Sequence, residues 1–423
     1  MKRKQNLIIL LMLCLFIQFI TPYRVSASVN PINSLDSYTY QNINNFINNF
    51  VDKRLKIYIN KDTDLESFKK LYNKDLLNIS ELSNIKLKEI NDKSKNTEII
   101  QTRFAQRLRN SKNVIGREYY KNDTKINISN INLIDTGIYE VNAYEVTKLY
   151  YKTPSNESDY EIYGDNHIFT LKQVNNSFVV LNDDMPNSLI NSYSSNDTLN
   201  LSVSKPETIK PTNKNNIQLP TLTSGASYDR SNAVSYADSY YITGSNSSNY
   251  RTFSPSDCTN FLSQCIKAGF WSLQDTSGSR QWFYTTGYVL GVGYSSSWGV
   301  AQDSYNYWYL GQQDTTRYEQ YITSQPNDYS TVPSGIMSKA LGGNAVYYHT
   351  DPSASVYYNH AAVCVGTKYL STGMYRPIVD SHTNDRYHAD YTLYPYTDYN
   401  SMISIGYNPS ITIVNIPDWS PLD

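Results

Sequence analysis

Ser254-Pro255-Ser256-Asp257-Cys258-Thr259-Asn260-Phe261-Leu262-Ser263-Gln264-Cys265-Ile266 sets small and acidic residues ahead of an apolar run, the pattern of a helix start. Cys258, Phe261, Leu262, Cys265, Ile266 and Gly269 recur at three- and four-residue steps and form one apolar stripe, with Cys258 in its first turn. Unpaired N–H groups and the dipole at a helix N-terminus favour a thiolate, so Cys258 is a candidate nucleophile with a lowered pKa. Cys265 lies two turns deeper and is expected to be a buried structural residue. On a helix the two Cα atoms stand about 10 Å apart, beyond the ~7 Å reach of a disulfide.

A thiol nucleophile needs a base. Asn359-His360-Ala361-Ala362-Val363-Cys364-Val365-Gly366 reads as a strand that opens on a histidine and ends at a glycine turn. His360, Ala362 and Cys364 share one face; Ala361, Val363 and Val365 share the other. Gly343-Asn344-Ala345-Val346-Tyr347-Tyr348 is expected to pair with it antiparallel. Tyr375-Arg376-Pro377-Ile378-Val379-Asp380-Ser381-His382 reads as a third strand, whose end offers Asp380 or His382 to orient the imidazole of His360.

Tyr228-Asp229-Arg230 with Ala233 and Tyr236-Ala237, then Asp257-Cys258-Thr259-Asn260-Phe261 and Ser263-Gln264, resemble the "putative amidase domain" family of secreted Gram-positive proteins. Trp282-Phe283, Trp298, Gly343 with its strand, His360 and Ser381-His382-Thr383 extend the resemblance over about residues 228–415. The resemblance implies a papain-like fold akin to CHAP-type and other cell-wall peptidases, with Cys258 as nucleophile, His360 as base and a polar residue on the next strand as orienter. It further implies an oxyanion held by the Cys258 N–H and a second donor, for which Asp257 and Tyr228 are candidates. Two positions depart from the family pattern: Gly343-Asn344 stands where Gly-Asp is usual, and Gly269-Phe270 where Gly-Gly is frequent.

Upstream, residues 35–110 show helical spacing, as in Phe46-Ile47-Phe50-Val51, and two or three helices are expected. From Tyr119 the texture turns to β-rich runs, with a tight hairpin at Asn175-Asn176-Ser177. Asp165 to Asp184 resembles the last two strands of cystatin-like and NTF2-like accessory domains. Residues 185–226 are rich in Asn, Ser, Thr and Pro and read as a linker. At the start, Lys2-Arg3-Lys4 precede an apolar run from Leu7 to Ile20 and a Val25-Ser26-Ala27 site, the layout of a signal peptide. The expected organisation is therefore a signal peptide over 1–27, a small α+β cystatin/NTF2-like domain over 28–184, a linker over 185–226 and a papain-like α+β domain over 227–423.

Composition bounds the function. The formal net charge of −1 excludes the basic excess of a dedicated nucleic-acid binder. Removing residues 1–27 takes away Lys2, Arg3, Lys4 and Arg24 and lowers the charge to −5. Three cysteines remain, Cys258, Cys265 and Cys364, and an odd count in an exported protein points to a free thiol. No phosphate loop, His-Glu-x-x-His or Gly-x-Ser-x-Gly occurs, and no cofactor is called for. Asp380, His382, Asp385, His388 and Asp390 are read as solvated loop residues rather than metal ligands, so no metal is assigned; His167 is read as a surface residue. Most of the 40 tyrosines are expected to pack cores and strand faces, with Trp282 and Trp298 at a cleft rim. The expectation is a secreted, extracellular or wall-associated monomer without a membrane span in its mature form, hydrolysing amide bonds in peptidoglycan or a peptide. The rival from another class is a catalytically inactive wall-binding or adhesion module.

Overall fold

A computed structural model of the chain describes residues 36–59, 111–112, 115–153, 158–185, 228–253, 256–270, 281–285, 293–312, 315–323, 332–352, 354, 356–370 and 374–417. The expected signal peptide, nearly all of the expected linker, and the further helices expected over 60–110 lie outside these residues. Among those described, no helix is long and apolar enough to cross a membrane.

The architecture is mixed α+β around a large antiparallel sheet. Helix α1 (Ser37–Ile59) precedes four strands, β1 (Tyr119–Asp135), β2 (Ile138–Lys152), β3 (Ser158–Val174) and β4 (Ser177–Asp184). Ile43, Ile47, Phe50, Val51 and Leu55 fall on one side of α1 at helical spacing, are buried, and pack against Val141, Leu149, Phe169 and Val180 of the strands. In β2 the buried positions alternate strictly from Val141 to Tyr151, the pattern of a sheet with one covered face. The β3–β4 hairpin turns at Asn175, whose φ of 54° is a conformation asparagine tolerates better than most residues.

Two helices follow, α2 (Arg230–Tyr240) and α3 (Cys258–Gly269), and then β5 (Arg317–Tyr321), β6 (Ala345–His349), β7 (His360–Tyr369), β8 (Tyr375–Ser381), β9 (Asp385–Asp390) and β10 (Ser410–Val414). β6 and β7 pair antiparallel, as do β7 and β8, in line with the sequence reading. The sheet order is β1-β2-β3-β9-β8-β7-β6-β10-β5, with β4 added on β3. One sheet thus runs through both halves of the chain, joined where Ile162, Tyr163 and Gly164 of β3 face Tyr387, Arg386 and Asp385 of β9. Gly164 is required at this seam: a Cβ there would lie 2.2 Å from the Tyr144 hydroxyl, which donates to Asp385.

β9 corrects the sequence reading. Asp385 and Asp390 are buried in a central strand, not solvated in a loop. Asp390 is held by the Arg376 guanidinium at 2.5 and 3.0 Å, and neighbouring Arg386 reaches Asp165 at 3.3 Å, so the charges are compensated inside the protein. Pattern alone marks such a strand as polar, because its partners come from distant sequence.

Candidate functional site

Helix α3 is enclosed along its length: every residue from Cys258 to Ile266 is buried. Its apolar stripe packs Phe261, Leu262, Cys265 and Ile266 against Ala361 and Val363 of β7 and against Trp282, Trp298 and Trp308. Three of its buried polar residues take the donors of packed aromatics. Asn260 accepts the Trp298 indole N–H at 2.7 Å, Ser263 accepts that of Trp282 at 3.1 Å, and Gln264 accepts the Tyr236 hydroxyl at 2.7 Å. Trp282 and Trp298, expected at a cleft rim, are fully buried in this core.

The start of α3 is capped from far away in the sequence. Asp257 stands at the N-cap position, but its carboxylate is used otherwise: it accepts the Phe253 N–H at 2.6 Å and the Asn260 amide at 2.9 Å, and meets His382 Nδ1 at 2.6 Å. The orphan N–H groups of Asp257 and Cys258 are taken up by Thr383 Oγ1 at 2.8 and 3.0 Å. Thr383 follows β8 with a φ of 81°. The sequence reading quoted Thr383 only as part of the resemblance; a hydroxyl capping a helix more than a hundred residues away leaves no local signal.

Cys258 is 4 % exposed. Burial pushes its thiol up, outweighing hydrogen bonds to the sulfur from the Ala361 N–H and the hydroxyls of Thr259 and Thr383. This reverses the lowering expected from the helix N-terminus alone: the dipole acts on a thiol that is no longer in water. Cys265 and Cys364 are buried and free, like Cys258.

His360 begins β7. Its ring lies 5.4 Å from that of Tyr348, and Nε2 is buried with no hydrogen-bond partner among the described residues. Burial, with the positive charge of Arg386 behind it, pulls the imidazole down to about 3, so it is neutral at ordinary pH. Among the described residues no hydrogen bond joins Cys258 to His360, and the pair is held as neutral thiol and neutral imidazole.

The two expected orienters lie elsewhere. His382 stacks on Phe261 at 3.9 Å, with Nδ1 on Asp257 and Nε2 on the Tyr240 carbonyl at 2.6 Å, so both ring nitrogens are engaged. It fixes Asp257 and the β8 end to α3 and does not bond His360. Asp380 accepts the His388 N–H at 2.7 Å, and burial pushes its carboxyl well above the usual range. Tyr228, a candidate oxyanion donor, gives its hydroxyl to the Gly343 carbonyl at 2.7 Å. Its ring fills the space left by Gly269 and Gly343, and Gly343 has a φ of +81°. Arg230 ties the same corner, reaching the Gly342 and Ile416 carbonyls at 3.1 and 2.6 Å. Asn344, at a departure from the family pattern, accepts from Arg230 and from Ile416 N–H and donates to the Lys339 carbonyl, a bond an aspartate could not make. Tyr228-Asp229-Arg230 is thus a clamp on the sheet.

Residues 227–405, which carry Cys258, His360, Asp380 and His382, match the family model described as "putative amidase domain". That description points to amide hydrolysis, by a hydrolase acting on C–N bonds. No curated protein and no solved structure matches the chain.

Proposed function

We propose that this chain is a secreted cysteine amidase, with Cys258 as nucleophile and His360 as general base, acting on amide bonds of bacterial cell-wall peptidoglycan. What supports the reading is Cys258, a thiol in the first turn of a buried helix, together with His360, which opens β7 with its Nε2 buried and without a hydrogen-bond partner among the described residues. Both ring nitrogens of His382, the other histidine at the start of α3, are engaged, by Asp257 and by the Tyr240 carbonyl.

In the proposed reaction, a substrate carbonyl enters beside Cys258 and its oxygen takes the Cys258 N–H from Thr383. Nε2 of His360 closes on the sulfur as the site fills and accepts the thiol proton, because apo geometry in such pairs is looser than the reacting one. The sulfur bonds to the carbonyl carbon, the C–N bond breaks, and the imidazolium returns the proton to the leaving amine. Water then attacks the thioester, giving up a proton to His360 and restoring the thiol. Asp257, Thr383 and His382 act as positioning residues. The fold belongs with papain-like enzymes on this reading, with residues 28–184 a cystatin- or NTF2-like accessory unit, residues 1–27 a signal peptide and 185–226 a linker.

The competing reading, a catalytically inactive wall-binding module, draws on the burial and raised pKa of Cys258, which describe an inert thiol equally well. Digestion of purified cell walls by the mature protein and by Cys258→Ala separates the two. The amidase reading expects soluble fragments with new amine and carboxylate ends from the native protein only. Silence from both, with equal sedimentation on walls, supports the binding module.

A further inference from the structure

We propose that Asp238, Asp380 and His388 form a binding site for one divalent transition-metal ion of the zinc class, stapling α2 to strands β8 and β9. One carboxylate oxygen from each aspartate and one ring nitrogen of His388 lie within 4.8 Å of one another. Asp380 is fully buried, and its Oδ2 has no hydrogen-bond partner among the described residues. That oxygen is what distinguishes this group from a surface acidic cluster.

The comparison with the other buried acids is the physical argument. Glu145 faces Arg54, Glu161 faces Arg117, Asp165 faces Arg386, Asp390 faces Arg376 and Asp257 faces His382. Asp385, without such a pair, has donors from Tyr144 and Thr243. Asp380 has one backbone N–H, from His388, and beside it a second carboxylate, Asp238, whose partner is His388 Nε2 at 2.9 Å. Two carboxylates this close, one wholly out of water, are relieved either by a proton held between them or by a cation, and the half-exposed Asp238 leaves the site open to the second.

The donor set selects the ion. Two carboxylate oxygens and an imidazole suit zinc and its neighbours, whereas calcium and magnesium take oxygen cages. The Asp238 and His388 side chains are 37 % and 21 % exposed, which leaves a route in and room for water as a fourth ligand. Asp380 lies two residues before His382 and three before Thr383, so the ion would brace the turn that carries both to the start of α3.

The test is Zn²⁺ binding by the chelator-stripped mature protein, followed by calorimetry and metal analysis after dialysis. It is run on the Cys258→Ala background so that the thiol cannot supply the site. We expect one ion per chain, and binding at least about 100-fold weaker in Asp380→Asn and in His388→Ala. His388 is only partly buried, so His388→Ala serves if Asp380→Asn does not fold. Co²⁺ in place of Zn²⁺ should give visible bands without thiolate charge transfer. No bound ion in the parent, as when the two carboxylates simply share a proton, overturns the proposal; so does undiminished binding in a folded variant. The result is independent of whether the protein is an amidase.

Discussion

Two buried histidines in one continuous sheet meet opposite fates. His167 on β3 lies 2.7 Å from Asp183 and 3.2 Å from Glu145, beside Arg54, and its ring stacks on Phe169. Burial alone would lower its pKa, but the two carboxylates push it up to about 9. His360 on β7 is buried as deeply with no acid beside it, and falls to about 3. The N-terminal half buries charge and neutralises it internally; at His360 a neutral ring is buried and one nitrogen is left without a partner among the described residues. An ionic cluster fixes geometry, whereas an unpaired imidazole held this far below its ordinary pKa becomes a base for a thiol only when substrate changes its surroundings.

If that contrast is functional, removing the free base or its thiol should cost activity and little else. Cys258→Ala and His360→Ala are each expected to lower kcat/KM by roughly 10⁴-fold or more, as loss of a nucleophile or its base does. Thermal melts of both variants check that they fold.

The charged half should behave in reverse. Glu145→Gln leaves Arg54 and His167 to share Asp183 as their carboxylate partner and is expected to destabilise by about 3–5 kcal/mol, the usual cost of breaking a buried pair. Urea unfolding reads this, and any kcat/KM change at a temperature where the variant is folded should be small. A large loss of turnover there would erase the distinction between the halves.

The two histidines should also tilt stability with pH in opposite directions. His360 takes a proton near pH 6.5 when unfolded but only near about 3 when folded, so its contribution falls as pH drops through that window. His167 keeps its proton to about 9 in the fold, so its stabilisation is complete below about 6.5 and is lost as pH rises through 9. Unfolding free energies across pH for the native chain, His360→Gln and His167→Gln should show the acid slope reduced in the first variant and the alkaline slope in the second.

The smallest effect tests the cap. Thr383→Val removes the acceptor for the Asp257 and Cys258 N–H groups, and about 1 kcal/mol of stability should go with it.

What the sequence discloses follows the range of the forces involved. Helix α3 and strands β6 to β8 are legible because their periodicity is local. His167 is not: a histidine between Asn166 and Ile168 reads as surface, and only the folded sheet brings Asp183, Glu145 and Arg54 around it. The same holds for β9, where Asp390 pairs with Arg376 of β8 and Arg386 with Asp165 of β3. At the site, the residue types at Cys258 and His360 can be picked out, but the raised thiol, the Thr383 cap and the engagement of His382 depend on burial and long-range contacts that no spacing encodes.

The central claim is that the Cys258 sulfur carries the acyl group during turnover. Reaction mixtures of the mature protein with solubilised wall peptides, quenched in acid during steady state and mapped by mass spectrometry, test it directly. The account predicts an acyl mass on the peptide containing Cys258, gone when substrate is exhausted. Turnover with Cys258 unmodified throughout, or an adduct on another residue, would contradict it.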